Sequence, residues 1–83
     1  MEGADEITWI AFKAGEFLED KARDSPLTKK DVEMAFDIFA RPRLQKLRLQ
    51  GNFERRQVED QIIAKLEEKA RRLNSEQWGK DGL

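Results

Sequence analysis

Hydrophobic residues recur at helical spacing in three stretches of the chain, which predicts three helices. In the first stretch, about 5–23, they form one stripe made of Ile7, Ile10, Ala11, Ala14, Phe17 and Leu18. In the third, about 53–74, they form another, made of Val58, Ile62, Ile63, Leu66, Ala70 and Leu73. Polar residues cover the opposite face of the third stretch, as expected for a helix that packs on a core. Its spacing also fits a coiled-coil seam, although barely two repeats are present.

The middle stretch, about 28–50, has the clearest helix start in the chain. Thr28 and Asp31 have the spacing of a capping box, in which each side chain reaches the backbone amide of the other residue. Leu27 and Val32 flank this box as a hydrophobic staple. The apolar face that follows consists of Val32, Ala35, Phe36, Phe39 and Ala40, with Met34 and Ile38 on the far side. A helix that is apolar on two sides usually lies between others.

Pro42 interrupts this middle helix. Proline disfavours helical geometry at the preceding residue, Arg41, so we predict a break near 42 and a restart at Pro42. Gly51 is expected to end the second piece in a left-handed conformation, and Asn52 to cap the helix that follows. Asn74 is the expected terminator of the third helix, which leaves a tail, 75–83.

The sequence therefore predicts an all-α fold: a small three-helix bundle with a broken middle helix and a C-terminal tail, in a single domain spanning 1–83. Its 83 residues are near the lower limit for one self-sufficient core. There is no cysteine and no long apolar run, so we expect a cytoplasmic protein without disulfides or membrane contact.

Catalysis is not expected, because histidine, cysteine and tyrosine are all absent. The adjacent carboxylates, such as Glu67 with Glu68, alternate with lysines in the pattern of solvent-exposed helical ion pairs. The chain contains no calcium-loop pattern and no glycine-rich phosphate loop. We therefore expect no enzyme, no metal and no cofactor.

Two large aromatic residues, Trp9 and Phe12, do not belong to the first stripe. Helical geometry puts both about 150° away from it, three residues apart and adjacent to each other. Together with other apolar residues they form a candidate partner interface: Trp9, Phe12, Met34, Ile38 and Trp78. The alternative is that the tail folds back and Trp78 packs on Trp9, closing the domain by itself.

Charge is unevenly distributed along the chain. Residues 1–20 contain six acids and one lysine, a net charge of −5, whereas 41–56 contain six cations and one acid, a net charge of +5. The six cations are Arg41, Arg43, Lys46, Arg48, Arg55 and Arg56. They could bind the phosphates of a nucleic acid, but they form no single stripe and no aromatic residues alternate with them. The alternative is that acidic and basic segments complement each other, within the bundle or across a dimer.

From these observations we expect a small, non-catalytic interaction or regulatory module, whose partner is a second copy of the chain or another protein. The alternative function is a nucleic-acid-binding regulator that uses the basic segment 41–56.

Overall fold

The computed structural model describes residues 2–46, 51–80 and 82–83, and none of these residues lies in a β-strand. The first helix, α1, spans Glu2–Ala22, and the last, α4, spans Gly51–Trp78. Between them lies a middle helix made of three consecutive pieces: α2 (Lys29–Ala35), a π-helical segment (Phe36–Ala40) and α3 (Arg41–Lys46). The prediction of an all-α three-helix bundle with a broken middle helix is confirmed.

The helices run up, down and up. The short connection between Ala22 and Lys29 makes the middle helix antiparallel to α1. Contacts between α1 and α4 advance in the same direction along both helices, since Gly15 lies near Lys69 and Ala22 lies near Trp78. The helices α1 and α4 are therefore parallel neighbours.

The core is formed by one face of each helix, largely as the hydrophobic periodicity predicts. From α1 it takes a stripe with spacing of four, and from the middle helix and α4 it takes similar stripes. The fully or nearly buried hydrophobic residues are Ile10, Ala14, Leu18, Ala22, Leu27, Val32, Ala35, Phe36, Ala40, Leu44, Ile62, Leu66, Ala70 and Leu73. Ile7, Phe17, Phe39, Val58, Ile63 and Leu83 pack against this set and are partly buried.

The predicted capping box is present at the start of the middle helix. The backbone amide of Thr28 donates to Asp31 Oδ2 at 2.8 Å, and the Thr28 hydroxyl donates to the same oxygen at 3.2 Å. Leu27 and Val32 on either side are both buried, as the staple pattern predicts.

The break in the middle helix has a different form from the one predicted. Arg41 has helical backbone angles, φ −57° and ψ −47°, and α3 begins at this residue rather than at Pro42. The irregularity lies earlier, in the π-helical segment, where the Arg41 amide donates to the carbonyl of Phe36, five residues back. This wider turn accommodates the Pro42 ring, which in a regular helix collides with the carbonyl four residues before it. The expected loss of helical geometry at Arg41 is therefore wrong.

Three predicted helix boundaries near the third helix are also wrong. Gly51 and Asn52 both lie within α4, so neither has the terminating or capping role predicted for it. Residues 47–50, the end of the predicted second piece, lie outside the described residues. Asn74 does not terminate α4, because its side chain is used in the core instead, and the helix continues to Trp78.

The end of α4 depends on a glycine. Gly79 has a φ of +65°, a left-handed conformation that glycine adopts at low cost, and its amide donates to the carbonyl of Ser75 at 3.2 Å. The amide of Lys80 donates to the carbonyl of Asn74, also at 3.2 Å. The chain then turns back so that Leu83 packs against the core. Within the described residues, no helix is long and apolar enough to cross a membrane.

Candidate interaction surface

All five residues of the candidate partner interface have exposed side chains. Phe12 is the most exposed, at 64%, followed by Ile38 at 48% and Met34 at 44%. Trp78 is exposed at 40% and Trp9 at 37%. Among the residues whose side chains the structure describes, they are the large hydrophobic residues that the bundle leaves uncovered. They do not form one patch: two lie on α1, two on the middle helix and one at the end of α4.

Trp9 and Phe12 share the outer face of α1, because residues three apart on a helix are neighbours. The buried residues Ile10, Ala14 and Leu18 occupy the opposite face of the same helix. The outer face of α1 is therefore apolar at one point and otherwise hydrophilic.

Trp9 has a specific neighbour within the chain. The guanidinium carbon of Arg43 lies 3.8 Å from the centre of a Trp9 ring, in cation–π geometry. Arg43 Nη1 also lies 3.6 Å from Glu6 Oε1, one turn earlier on α1. The Glu6–Trp9–Arg43 cluster thus joins α1 to α3, and Trp9 is partly covered by it. The Phe12 ring has a weaker neighbour, Lys13, whose ammonium lies 5.8 Å from the ring centre.

Trp78 is held at the other end of α1. Its indole Nε1 donates to the carbonyl of Ala22 at 2.6 Å. Ala22 is 13 residues beyond Trp9 on the same helix, a separation of about 20 Å. The alternative in which Trp78 packs on Trp9 is therefore wrong, although Trp78 does fasten the end of α4 to α1.

Beside Trp78, Asn74 is 1% exposed and makes three hydrogen bonds. Its Oδ1 accepts from the Leu27 amide at 2.7 Å, and its Nδ2 donates to the carbonyls of Leu27 and Gly82, both at 2.9 Å. Sequence reasoning missed this role. Helical spacing could have indicated it, because Asn74 lies four residues after Ala70 and therefore on the core face of α4.

A groove runs between α1 and α4 next to Phe12. Its floor is formed by Ala11 and Gly15 of α1, and Lys69 of α4 borders it. Charged side chains line both walls: Glu16 and Glu19 on α1, and Lys65, Glu68 and Arg72 on α4. The sequence analysis did not identify this groove, because the pairing of α1 with α4 cannot be read from either helix alone.

Three of the six basic residues singled out in the sequence are paired with acids. Arg41 Nη2 lies 3.0 Å from Asp37 Oδ1, and Arg55 Nε lies 3.7 Å from Glu59 Oε1. Arg43 is engaged by Glu6, as described above. Lys46 and Arg56 are exposed and make no ion pair with any residue that the structure describes. Arg48 lies outside the described residues.

The carboxylates of α4 are also used in surface pairs. Glu67 Oε2 lies 3.2 Å from Arg71 Nη2, and Glu68 Oε1 lies 3.6 Å from Arg72 Nη2. These are the i,i+4 pairs that the alternating charges predict. Among the described residues there is no cluster of three or more side chains suited to hold a metal ion. What the surface offers chemically is apolar contact and charge complementarity.

Comparisons with models of protein families, with curated protein sequences and with solved structures find no match to this chain.

Proposed function

We propose that this chain is a small, non-catalytic interaction or regulatory module that associates with a second copy of itself. The contact surface is the outer face of α1, where Trp9 and Phe12 lie. A cytoplasmic location is part of the proposal, supported by the lack of cysteine.

The observation that carries the proposal is the exposure of Phe12. Phe12 is 64% exposed on a helix whose opposite face already supplies the core, so folding alone does not bury it. Burying an aromatic side chain of this size contributes about 2 kcal/mol. Aromatic residues of this type are enriched at interfaces and often dominate their binding energy.

Internal ion pairing supports this proposal over nucleic-acid binding. Arg41, Arg43 and Arg55 each have a carboxylate within 4.0 Å, so a phosphate would have to compete with an existing partner. The net charge of the whole chain is −1, which gives no general attraction to a polyanion. The charge segregation seen in the sequence is used, at least at Glu6 and Arg43, to join α1 to the middle helix.

The test is the mass in solution, measured by sedimentation equilibrium over a range of protein concentrations. We expect a dimer for the natural sequence and, for Phe12→Ala, a dissociation constant raised at least about tenfold, because about 2 kcal/mol of burial is lost. The matched control is Met34→Ala, which removes an exposed apolar side chain from the middle helix and should leave the dimer unchanged.

A natural chain that stays monomeric at the highest concentration would refute self-association. A monomer that purifies with nucleic acid, and loses it as salt is raised, would favour the alternative function.

A further inference from the structure

We infer that the contact with the second copy extends from Phe12, on the outer face of α1, into the groove between α1 and α4. In this arrangement a two-fold axis runs parallel to both helices, so that α1 of each copy lies on α4 of the other and Glu16 faces Lys65 across the interface. The inference rests on the proposed self-association and adds to it the symmetry and the paired residues.

At the floor of the groove, α1 and α4 do not approach each other unusually closely. A Cβ atom added at Gly15 would lie 3.8 Å from Lys69 Cε, which is an ordinary contact distance. Packing of α1 on α4 therefore does not require glycine at this position. Gly15 is buried under the Lys69 side chain, one turn from the exposed Phe12 ring.

The charged side chains along the groove are acidic on α1 and mostly basic on α4. The acids on the α1 wall are Glu16 and Glu19, and the cations on the α4 side are Lys65, Lys69 and Arg72. Glu68 is the exception on α4, and Arg72 pairs with it at 3.6 Å. Within one copy the two walls already attract, since Lys69 Nζ lies 2.7 Å from Glu19 Oε1.

Two charged side chains on the groove are available to form ion pairs with a second copy. Glu16 lies at the 4.0 Å limit of an ion pair with Lys13, and its side chain is 52% exposed. Lys65 is exposed and makes no ion pair with any residue in the described part of the chain. They stand on opposite walls, one acid and one base, which is the complementarity that a two-fold contact between identical surfaces requires.

Charge complementarity determines the direction of the two-fold axis. An axis that crosses the groove would place α1 on α1 and α4 on α4, so that acids face acids and bases face bases. An axis parallel to the helices places the acidic wall of each copy on the basic wall of the other.

Glu16 and Lys65 also lie at similar heights along the bundle axis. Lys69 lies beside both Gly15 and Glu19, so Glu16 and Lys65 differ by about one helical turn, roughly 5 Å along the axis. A rotation about an axis parallel to the helices preserves these heights, and long flexible side chains span such an offset. Phe12 then lies near the level of Lys65 in the second copy, whose methylene stem is apolar.

The experiment uses charge reversal on each wall and then mixes the variants. In a dimer of Glu16→Lys the new lysine faces Lys65, and in a dimer of Lys65→Glu the new glutamate faces Glu16, so both contacts become repulsive. We expect each variant alone to dimerise about tenfold more weakly than the natural chain. An equimolar mixture should form a heterodimer of nearly natural affinity, because both of its contacts pair opposite charges.

Two controls accompany the mixing experiment. Lys46→Glu makes the same charge change on an exposed lysine outside the groove and should not weaken the dimer. Mixed with Glu16→Lys, it should give a heterodimer of only intermediate affinity, because one of the two contacts pairs opposite charges and the other pairs two lysines. Circular dichroism during heating should show that every variant keeps the helical content and cooperative unfolding of the natural chain.

The outcomes separate this inference from the proposed function. If the natural chain is dimeric but the two variants dimerise normally, or fail to recover on mixing, the groove is not the contact site although self-association stands. If the natural chain is monomeric, both proposals fail. Recovery of nearly natural affinity on mixing, with only intermediate affinity for the Lys46→Glu control mixture, supports the groove and the parallel axis together.

Discussion

The two ends of α1 are joined to the rest of the bundle by different chemistry. At its C-terminal end, Asn74 and Trp78 of α4 form neutral, largely buried hydrogen bonds to backbone groups of Ala22 and Leu27, beside a long ion pair between Lys21 and Asp31 at 3.9 Å. Near its N-terminal end, Arg43 of α3 forms an ion pair with Glu6 and stacks on Trp9. Asn74 is almost completely buried, whereas the Glu6 and Arg43 side chains are 27% and 40% exposed.

This difference decides how much each end contributes to stability. A buried backbone group that loses its hydrogen-bond partner stays unsatisfied, because water cannot replace the partner, and this costs about 1–3 kcal/mol. An exposed ion pair exchanges its partners for water with little net change. We therefore expect stability to be concentrated at the hydrogen-bonded end, and three predictions test this comparison.

The largest effect is expected for Asn74→Ala. The variant leaves the amide and the carbonyl of Leu27 without partners in the core, and frees the carbonyl of Gly82 as well. We expect the free energy of unfolding to fall by about 3 kcal/mol, measured by urea denaturation. The control is Gln77→Ala, an exposed residue one turn further along α4, which should change stability by less than about 0.5 kcal/mol.

A loss near that of the control would mean that the Asn74 hydrogen bonds do not hold the end of the bundle together. The contrast between the two ends would then disappear.

A smaller effect is expected from a matched pair of tryptophan variants. Trp78→Phe keeps an aromatic ring but removes the Nε1 donor to Ala22, and should cost about 1 kcal/mol. Trp9→Phe makes the same change at the charged end. Phenylalanine retains part of the cation–π contact with Arg43, so we expect a loss below about 0.5 kcal/mol. Unfolding in urea measures both, and an equal loss for the two variants would contradict the comparison.

The smallest effect is expected for the Glu6–Arg43 pair. A double-mutant cycle with Glu6→Gln and Arg43→Gln should give a coupling of about 0.5 kcal/mol that declines as salt is raised. Glu6 Oε2 is shielded from solvent and has no hydrogen-bond partner among the described residues, so lost solvation offsets part of the attraction. The Asp37–Arg41 pair on the middle helix, more exposed at 55% and 65%, is a suitable reference cycle. A coupling free energy above about 2 kcal/mol would mean that the charged end contributes as much to stability as the hydrogen-bonded end.

The parts of this architecture that depend on local sequence could be predicted. The stripes of α1 and α4 follow from helical periodicity, and the start of the middle helix follows from Thr28 and Asp31, which lie three residues apart. The exposure of Trp9 and Phe12 follows from the same arithmetic. Each of these features is set by residues within one or two turns of one another.

The features that could not be predicted depend on residues far apart in the chain. An asparagine after a helical stripe is usually a terminator, and only the proximity of Leu27, 47 positions earlier, makes Asn74 a core residue. The groove beside Phe12 requires α4 to lie next to α1, and the partner of the Trp78 indole is a carbonyl 56 positions away. Local propensity carries no information about such contacts.

The π-helical segment has a geometric consequence for the whole middle helix. The buried residues Val32, Phe36, Ala40 and Leu44 recur every four positions, and in a regular α-helix such a series rotates by about 40° at each step. Over three steps, Leu44 would be turned about 120° away from Val32. The wider turns of Phe36–Ala40 take up more residues per revolution and slow this rotation. The segment therefore compensates for this rotation of the buried residues, so that both halves of a proline-containing helix face one core.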